Sequence, residues 1–200
     1  MNTFDPTTHQ YFIDGQPVLS VTQVLQLEGC YKNSEWFTEE GRILGSRIHK
    51  VCERYDRGGL DESTVDPEME GYLASWKKYR KETGFLPFLI EESIFSIHRR
   101  LAGTPDRAGV DRSGEIWIID LKRGAKQEAS ALQTAAYNIL IFDSDHAQKV
   151  AEKGRIRRAA VHLDEEGGYP KVYEHTERTD IPVFSSFLMG VQWKKSKGLV

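Results

Sequence analysis

The stretch Ile116–Lys122, reading Ile-Trp-Ile-Ile-Asp-Leu-Lys, constrains this chain more than any other. It is apolar enough for a buried strand, yet it closes on Asp120 and Lys122. Successive side chains of a strand point to opposite faces. Ile116, Ile118, Asp120 and Lys122 therefore share one side, and Trp117, Ile119 and Leu121 the other. Opposite charges at the end of an apolar strand are costly to bury unless something there uses them.

A chain of 200 residues with 39% hydrophobic residues can bury one sizeable core. It has no apolar run long enough to span a bilayer. Its first residues lack a secretory pattern, so the expected location is cytoplasmic. Cys30 and Cys52 are too few for a disulfide framework or a four-cysteine metal site, and read as free thiols. The net charge of −3 does not argue against nucleic acid, because binding depends on local basic patches. Such patches occur at Arg99-Arg100, along 153–158 and at Lys194, Lys195 and Lys197; each by itself reads as solvated surface.

Along the chain, Asp14-Gly15 predicts a hairpin turn between Tyr11-Phe12-Ile13 and Val18-Leu19. Ser20 caps a short helix to Leu27, and Trp36 and Phe37 anchor a loop. From Ile43, Leu44, Ile48, Val51, Cys52 and Tyr55 form a helical stripe with His49 at its margin; Gly45 allows a close approach one turn earlier. Asp66-Pro67 opens a second helix, closed by Gly84. Strands are expected over 88–97, 101–110 and 115–122, a helix over 129–142, and a strand pair over 156–163 and 171–174. Asp180 is expected to cap a last helix, with Pro182 in its first turn. The sum is an α/β chain of one domain, a central mixed sheet flanked by helices. Its core covers about 43–175, with an N-terminal hairpin and helix over 1–42 and a C-terminal helix over 180–200. No G-x-x-x-x-G-K-[ST] occurs, which excludes a motor or kinase of that type.

Asp106, in Gly103-Thr104-Pro105-Asp106, and Asp120 would sit on adjacent strands, and Glu92 interrupts an apolar one. Carboxylates at neighbouring levels make an oxygen-rich site for Mg²⁺ or Mn²⁺. Lys122 lies on the face of Asp120, able to orient an attacking water or steady a phosphate. Gln133 and Tyr137, four apart, share one face of the following helix. Taken singly, Asp-x-Lys is ordinarily a surface ion pair, Pro-Asp a turn and His49 a core-margin histidine. Alternation favours Glu92 over Glu91, but a bulge would reverse that choice.

The ordered set Gly103-Thr-Pro-Asp106, Ile119-Asp120-Leu121-Lys122 and Gln133-x-x-x-Tyr137 resembles the PD-(D/E)xK nuclease superfamily. Gly45-x-x-x-His49 and a strand glutamate resemble its RecB-like and phage, lambda-type, exonuclease branch. The resemblance covers about 43–140, with Ser20 to Val24 a further likeness. It implies a restriction-endonuclease-like core with Asp106, Asp120 and the Leu121 carbonyl as metal ligands. Glu92 and His49 would complete that site, and Lys122 would be the catalytic lysine. Gln133 and Tyr137 would contact the nucleic-acid strand or buttress the site, and Arg42 and Arg47 could touch phosphate.

The activity so implied is Mg²⁺- or Mn²⁺-dependent hydrolysis of phosphodiester bonds by a DNA exonuclease at double-stranded ends, in recombination or repair. The partners implied are DNA, a single-strand annealing or binding protein and further copies in a ring. The rival readings are an endonuclease on the same fold and a non-catalytic nucleic-acid-binding module. The four-cysteine iron–sulfur cluster of some relatives has no counterpart in two cysteines.

Overall fold

The computed structural model describes residues 1–31, 38–151 and 156–200. Trp36, Phe37 and the 153–155 part of the basic stretch lie outside the described residues. Strands β1 (Asn2–Asp5), β2 (Gln10–Ile13) and β3 (Gln16–Ser20) form an antiparallel ribbon with Asp14 and Gly15 in its second turn. β1 was not anticipated: Asn-Thr-Phe-Asp has too little apolar pattern to mark a strand. Ser20 ends β3 and caps α1 (Val21–Leu27). Its hydroxyl accepts from the Gln23 N–H at 3.1 Å, and the Gln23 side chain accepts from the Ser20 N–H at 2.9 Å.

Helix α2 (Glu39–Asp56) starts at a Thr38 cap, ahead of the stripe that begins at Ile43. A 3₁₀ turn (Glu62–Thr64) precedes α3 (Pro67–Thr83), which opens on Asp66 and closes at left-handed Gly84 as expected. Then come β4 (Leu86–Ile90), β5 (Ile94–Ser96), β6 (Leu101–Gly103), β7 (Arg107–Val110) and β8 (Ile116–Lys122). The chain continues through α4 (Ala129–Phe142), α5 (Ala147–Ala151), β9 (Ile156–His162), β10 (Lys171–Glu174) and α6 (Asp180–Ser196).

β8 is the middle strand of a mixed sheet ordered β10-β9-β8-β7-β4, parallel to β9 and antiparallel to β7. Its two faces separate as alternation requires. Ile116 and Ile118 pack with Ala136 and Leu140 of α4, Val24 of α1 and Phe184 of α6. Trp117, Ile119 and Leu121 pack with Ile48 and Cys52 of α2 and Trp76 of α3. Each fully buried large apolar side chain stabilises by about 1.5–3 kcal/mol before chain entropy is counted. The central strand thus holds two cores at once.

Three expectations need correction. The strands over 88–97 and 101–110 are each broken in two, and the halves belong to different sheets. β4 and β7 join the central sheet, whereas β5 and β6 join a second one ordered β1-β2-β3-β6-β5. Asp180 does not cap α6: Thr179 occupies the cap position, and the Asp180 carboxylate accepts from Arg158 at 2.8 Å. A buried guanidinium outbids the helix end for that carboxylate. Of the basic patches, Arg99 pairs with Asp143 and Lys194 with Glu28, so part of their charge is already matched.

Candidate active site

The two strand breaks face each other. Residues 91–93 and 104–106 carry the chain between the sheets side by side. They are tied by the Glu91 N–H donating to the Asp106 carbonyl at 3.0 Å and by a Ser93–Thr104 hydroxyl contact at 2.9 Å. Tyr11 of β2 adds a hydrogen bond to Thr104 at 2.8 Å. Glu91 has φ 46°, a conformation that costs a non-glycine residue about 1–3 kcal/mol and is kept only where the surroundings enforce it. That turn breaks the alternation on which the choice of Glu92 rested. Glu92 is instead half exposed, beside His146 at 3.2 Å, and Glu91 faces the site. The structure brings Glu91, and not Glu92, beside His49 and Asp106.

His49 projects from α2 into this seam. Its Nδ1 lies 3.3 Å from Glu91 Oε1 and 3.5 Å from Asp106 Oδ1. Its Nε2 is 3.0 Å from the Leu121 carbonyl. The β7–β8 ladder ends at Arg107 opposite Ile119, leaving the next outward polar groups of β8, those of Leu121, beyond the end of β7. The Leu121 N–H donates to Asp106 Oδ2 at 2.6 Å, and its carbonyl meets His49. The backbone of one residue past the end of a ladder thus orients two of the side chains.

On the other face of β8, the Lys122 ammonium lies 2.9 Å from Asp120 Oδ1 and 2.8 Å from Oδ2, and reaches Gln133 Oε1 at 3.3 Å. Gln133 Nε2 donates to the Tyr137 hydroxyl at 3.1 Å. Gln133 is therefore engaged with both Lys122 and Tyr137. Asp120 is 1% exposed, and its Oδ2, though close to the ammonium, accepts no well-directed hydrogen bond among the described residues.

The electrostatics follow from burial among charges. Burial raises the pKa of Asp106, against the pull of His49, and that of Asp120, against the pull of Lys122. Burial works to lower His49, but Asp106 and Glu91 outweigh it and lift the imidazole to about 9. Lys122 is likewise lowered by burial and raised further by Asp120 and Asp106, with a net rise. The Tyr137 phenol is pushed well above its usual range by burial beside both aspartates.

One cavity of about 1310 Å³ opens over these groups, lined by His49, Glu91, Asp106, Lys122, Tyr137 and Arg42 among others. It exceeds the roughly 300–1,000 Å³ of small-ligand pockets, a size suited to a segment of polymer. Arg47 is not in its lining; it pairs with Asp66 at 2.7 Å and Glu68 at 3.4 Å instead. Among the wall residues that the sequence did not single out are Tyr31, Arg123 and Lys126. Arg123 crosses to α2, donating to the Gly41 carbonyl at 2.7 Å, and a Cβ on Gly41 would lie 2.5 Å from the guanidinium. The close approach expected at Gly45 thus falls one turn earlier. Adjacency to Lys122 was the only signal for Arg123.

His49, Glu91 and Asp106 each offer a ligand atom within 4.8 Å of one another. With Asp120 nearby, paired with Lys122, this oxygen-rich donor set fits a hard divalent cation.

A family model, that of the PD-(D/E)XK nuclease superfamily, matches residues 65–183. The chain belongs to that superfamily. The match spans Glu91, Asp106, Asp120 and Lys122, while His49 lies before it. No curated protein matches. Among solved structures, the chain is similar to the LHK-Exo complex with dAMP, at 14% identity and TM-score 0.41, covering 91% of this chain and 89% of that one. It is also similar to the alkaline exonuclease LHK-Exo from Laribacter hongkongensis, at 15% identity and TM-score 0.31, covering 90% and 93%. A third likeness is to a candidate exonuclease from Eubacterium rectale, at 12% identity and TM-score 0.45, covering 94% and 79%.

Proposed function

We propose that this nuclease-superfamily chain is a Mg²⁺- or Mn²⁺-dependent deoxyribonuclease, an exonuclease that works on double-stranded DNA ends in recombination or repair. The observation that carries the reading is the convergence of His49, Glu91 and Asp106 within 4.8 Å, beside the Asp120–Lys122 pair. Asp106, Asp120 and the Leu121 carbonyl would hold the cation, with His49 and Glu91 completing its surroundings. When bound, such an ion stabilises charge on the phosphoryl oxygens and lowers the pKa of a bound water.

The protein's own groups supply the rest. Lys122 keeps its ammonium at the cavity wall through Asp120 and Gln133, where it can orient water or balance charge building on a phosphate. Arg42, Arg123 and Lys126 on the same wall suit phosphate contacts that hold the strand without reading its sequence. The exonuclease choice rests on the likeness of the ordered motifs to the phage branch. A bacterial-host cytoplasm, an annealing partner and a ring of copies belong to the same reading. No helix among the described residues is long and apolar enough to cross a membrane.

Linear duplex and covalently closed circular duplex separate the alternatives. Mg²⁺-dependent loss of the linear form with the circle intact is expected. Cleavage of the circle at an equal rate would replace the exonuclease by an endonuclease. Metal-insensitive binding without cleavage of either would point to a non-catalytic module.

A further inference from the structure

Directly behind the acidic cluster lies a second set of buried charges with no role in the reading above. Arg107, the residue after Asp106, is fully buried. Its Nε donates to Asp56 Oδ2 at 2.5 Å, and its Nη1 donates to Glu91 Oε1 at 3.0 Å and to the Asp106 carbonyl at 2.6 Å. The side chain of Asp56, the last residue of α2, is itself fully buried and accepts from Arg80 at 2.7 Å and from the Trp76 indole at 2.9 Å. Arg107 Nη2 has no hydrogen-bond partner among the described residues.

A buried ion pair is a poor way to gain stability, since desolvation of both charges offsets their attraction and an apolar pair of similar shape does as well. What this arrangement supplies is position. A single planar guanidinium grips both crossings of the seam, Glu91 by its side chain and Asp106 by its backbone, while Asp56 fixes the far end of the fork. Glu91 most needs such a grip, because its left-handed backbone persists only if its surroundings enforce it.

We infer that Arg107, braced by Asp56, is a positioning residue that aims the Glu91 carboxylate and the Asp106 turn at the cation site. This inference rests on the metal-site reading. Groups that orient metal ligands from behind change metal affinity by roughly 10- to 100-fold when altered.

The test is Mn²⁺ binding to the full chain, followed by the electron paramagnetic resonance of free Mn²⁺, for wild type, Arg107→Lys, Asp56→Asn and Glu91→Gln. Lysine keeps the charge but cannot span Asp56, Glu91 and the Asp106 carbonyl together. Arg107→Lys is expected to bind Mn²⁺ about 10-fold or more weakly. The Mn²⁺ needed for half-maximal cleavage should rise in step, with most of kcat recovered at saturating metal. Asp56→Asn, which keeps the shape, should shift in the same direction and serves if Arg107→Lys does not fold. Folded variants that melt earlier yet bind Mn²⁺ as wild type does would overturn the inference, leaving Arg107 a structural residue only. Loss of binding in Glu91→Gln alone overturns the inference while keeping the metal site. A wild-type protein that binds no Mn²⁺ overturns both.

Discussion

The Glu91 N–H donates to the Asp106 carbonyl at 3.0 Å, a bond between two residues that each stand at a break between a strand of one sheet and a strand of the other. The two carboxylates therefore meet because the chain crosses twice at one place. A regular strand through either residue would send these side chains along the alternation of a single sheet. The breaks make the site.

Glu91 and Glu92 are neighbours with opposite expectations. Glu91→Gln should lower cleavage by about 100-fold or more, since it removes a charged group aimed at the cluster. Glu92→Gln, on the half-exposed carboxylate beside His146, should leave cleavage within about 2-fold of wild type, as surface changes ordinarily do. Initial rates on one duplex substrate at saturating Mg²⁺ compare them.

Lys122→Ala should lower cleavage about as much as Asp106→Ala does, yet leave Mn²⁺ binding nearly intact, because the lysine offers no ligand to a cation. Calorimetric titration of both variants with Mn²⁺ separates the roles. Loss of Mn²⁺ binding in Lys122→Ala would show that the ammonium supports the metal site and not the reaction.

Gly71 in α3 is pressed against the 164–167 turn: a Cβ there would lie 1.6 Å from the Glu165 carbonyl oxygen, a backbone atom that cannot step aside. Gly71→Ala should destabilise by about 1–3 kcal/mol or more through overpacking. For a domain of this size each kcal/mol lowers Tm by roughly 2–4 °C. A thermal melt with an unchanged Tm would mean that the turn moves freely.

His175 gives the fold a pH dependence of its own. Burial and then the nearby Arg158 charge hold its pKa below the ordinary 6.5. The unfolded chain therefore takes up the proton first on acidification. This contribution to stability is complete above about pH 6.5 and is lost as pH falls toward the depressed folded value. Urea midpoints between pH 7 and 5 should fall more steeply for wild type than for His175→Asn. Parallel slopes would contradict the assignment.

Much of this was legible in the residues. The faces of β8 follow from alternation alone, and α1, α3 and α4 follow from capping residues and periodicity. The ordered motifs brought Asp106, Asp120, Lys122, Gln133 and Tyr137 into view together, and the structure clusters them. The sequence hid what depends on a break in regularity. Nothing in Leu-Ile-Glu-Glu-Ser marks Glu91 for a positive φ, since glutamate has no preference for it and no glycine stands there. Local pattern likewise cannot tell that β5 and β6 pair with β3, because that pairing joins residues far apart in the chain. Arg107 reads as a surface residue by type, and only tertiary packing buries it.

The central claim is that the Asp120–Lys122 end of β8, with the carboxylates of the seam, forms a metal-dependent phosphodiesterase site. Its most direct test is a time course on end-labelled linear duplex DNA with Mg²⁺ or with chelator, for wild type and Asp120→Ala. The account predicts release of labelled product by wild type with Mg²⁺ alone, and none by Asp120→Ala in either condition. Release by Asp120→Ala at the wild-type rate, or by wild type in chelator, would contradict it.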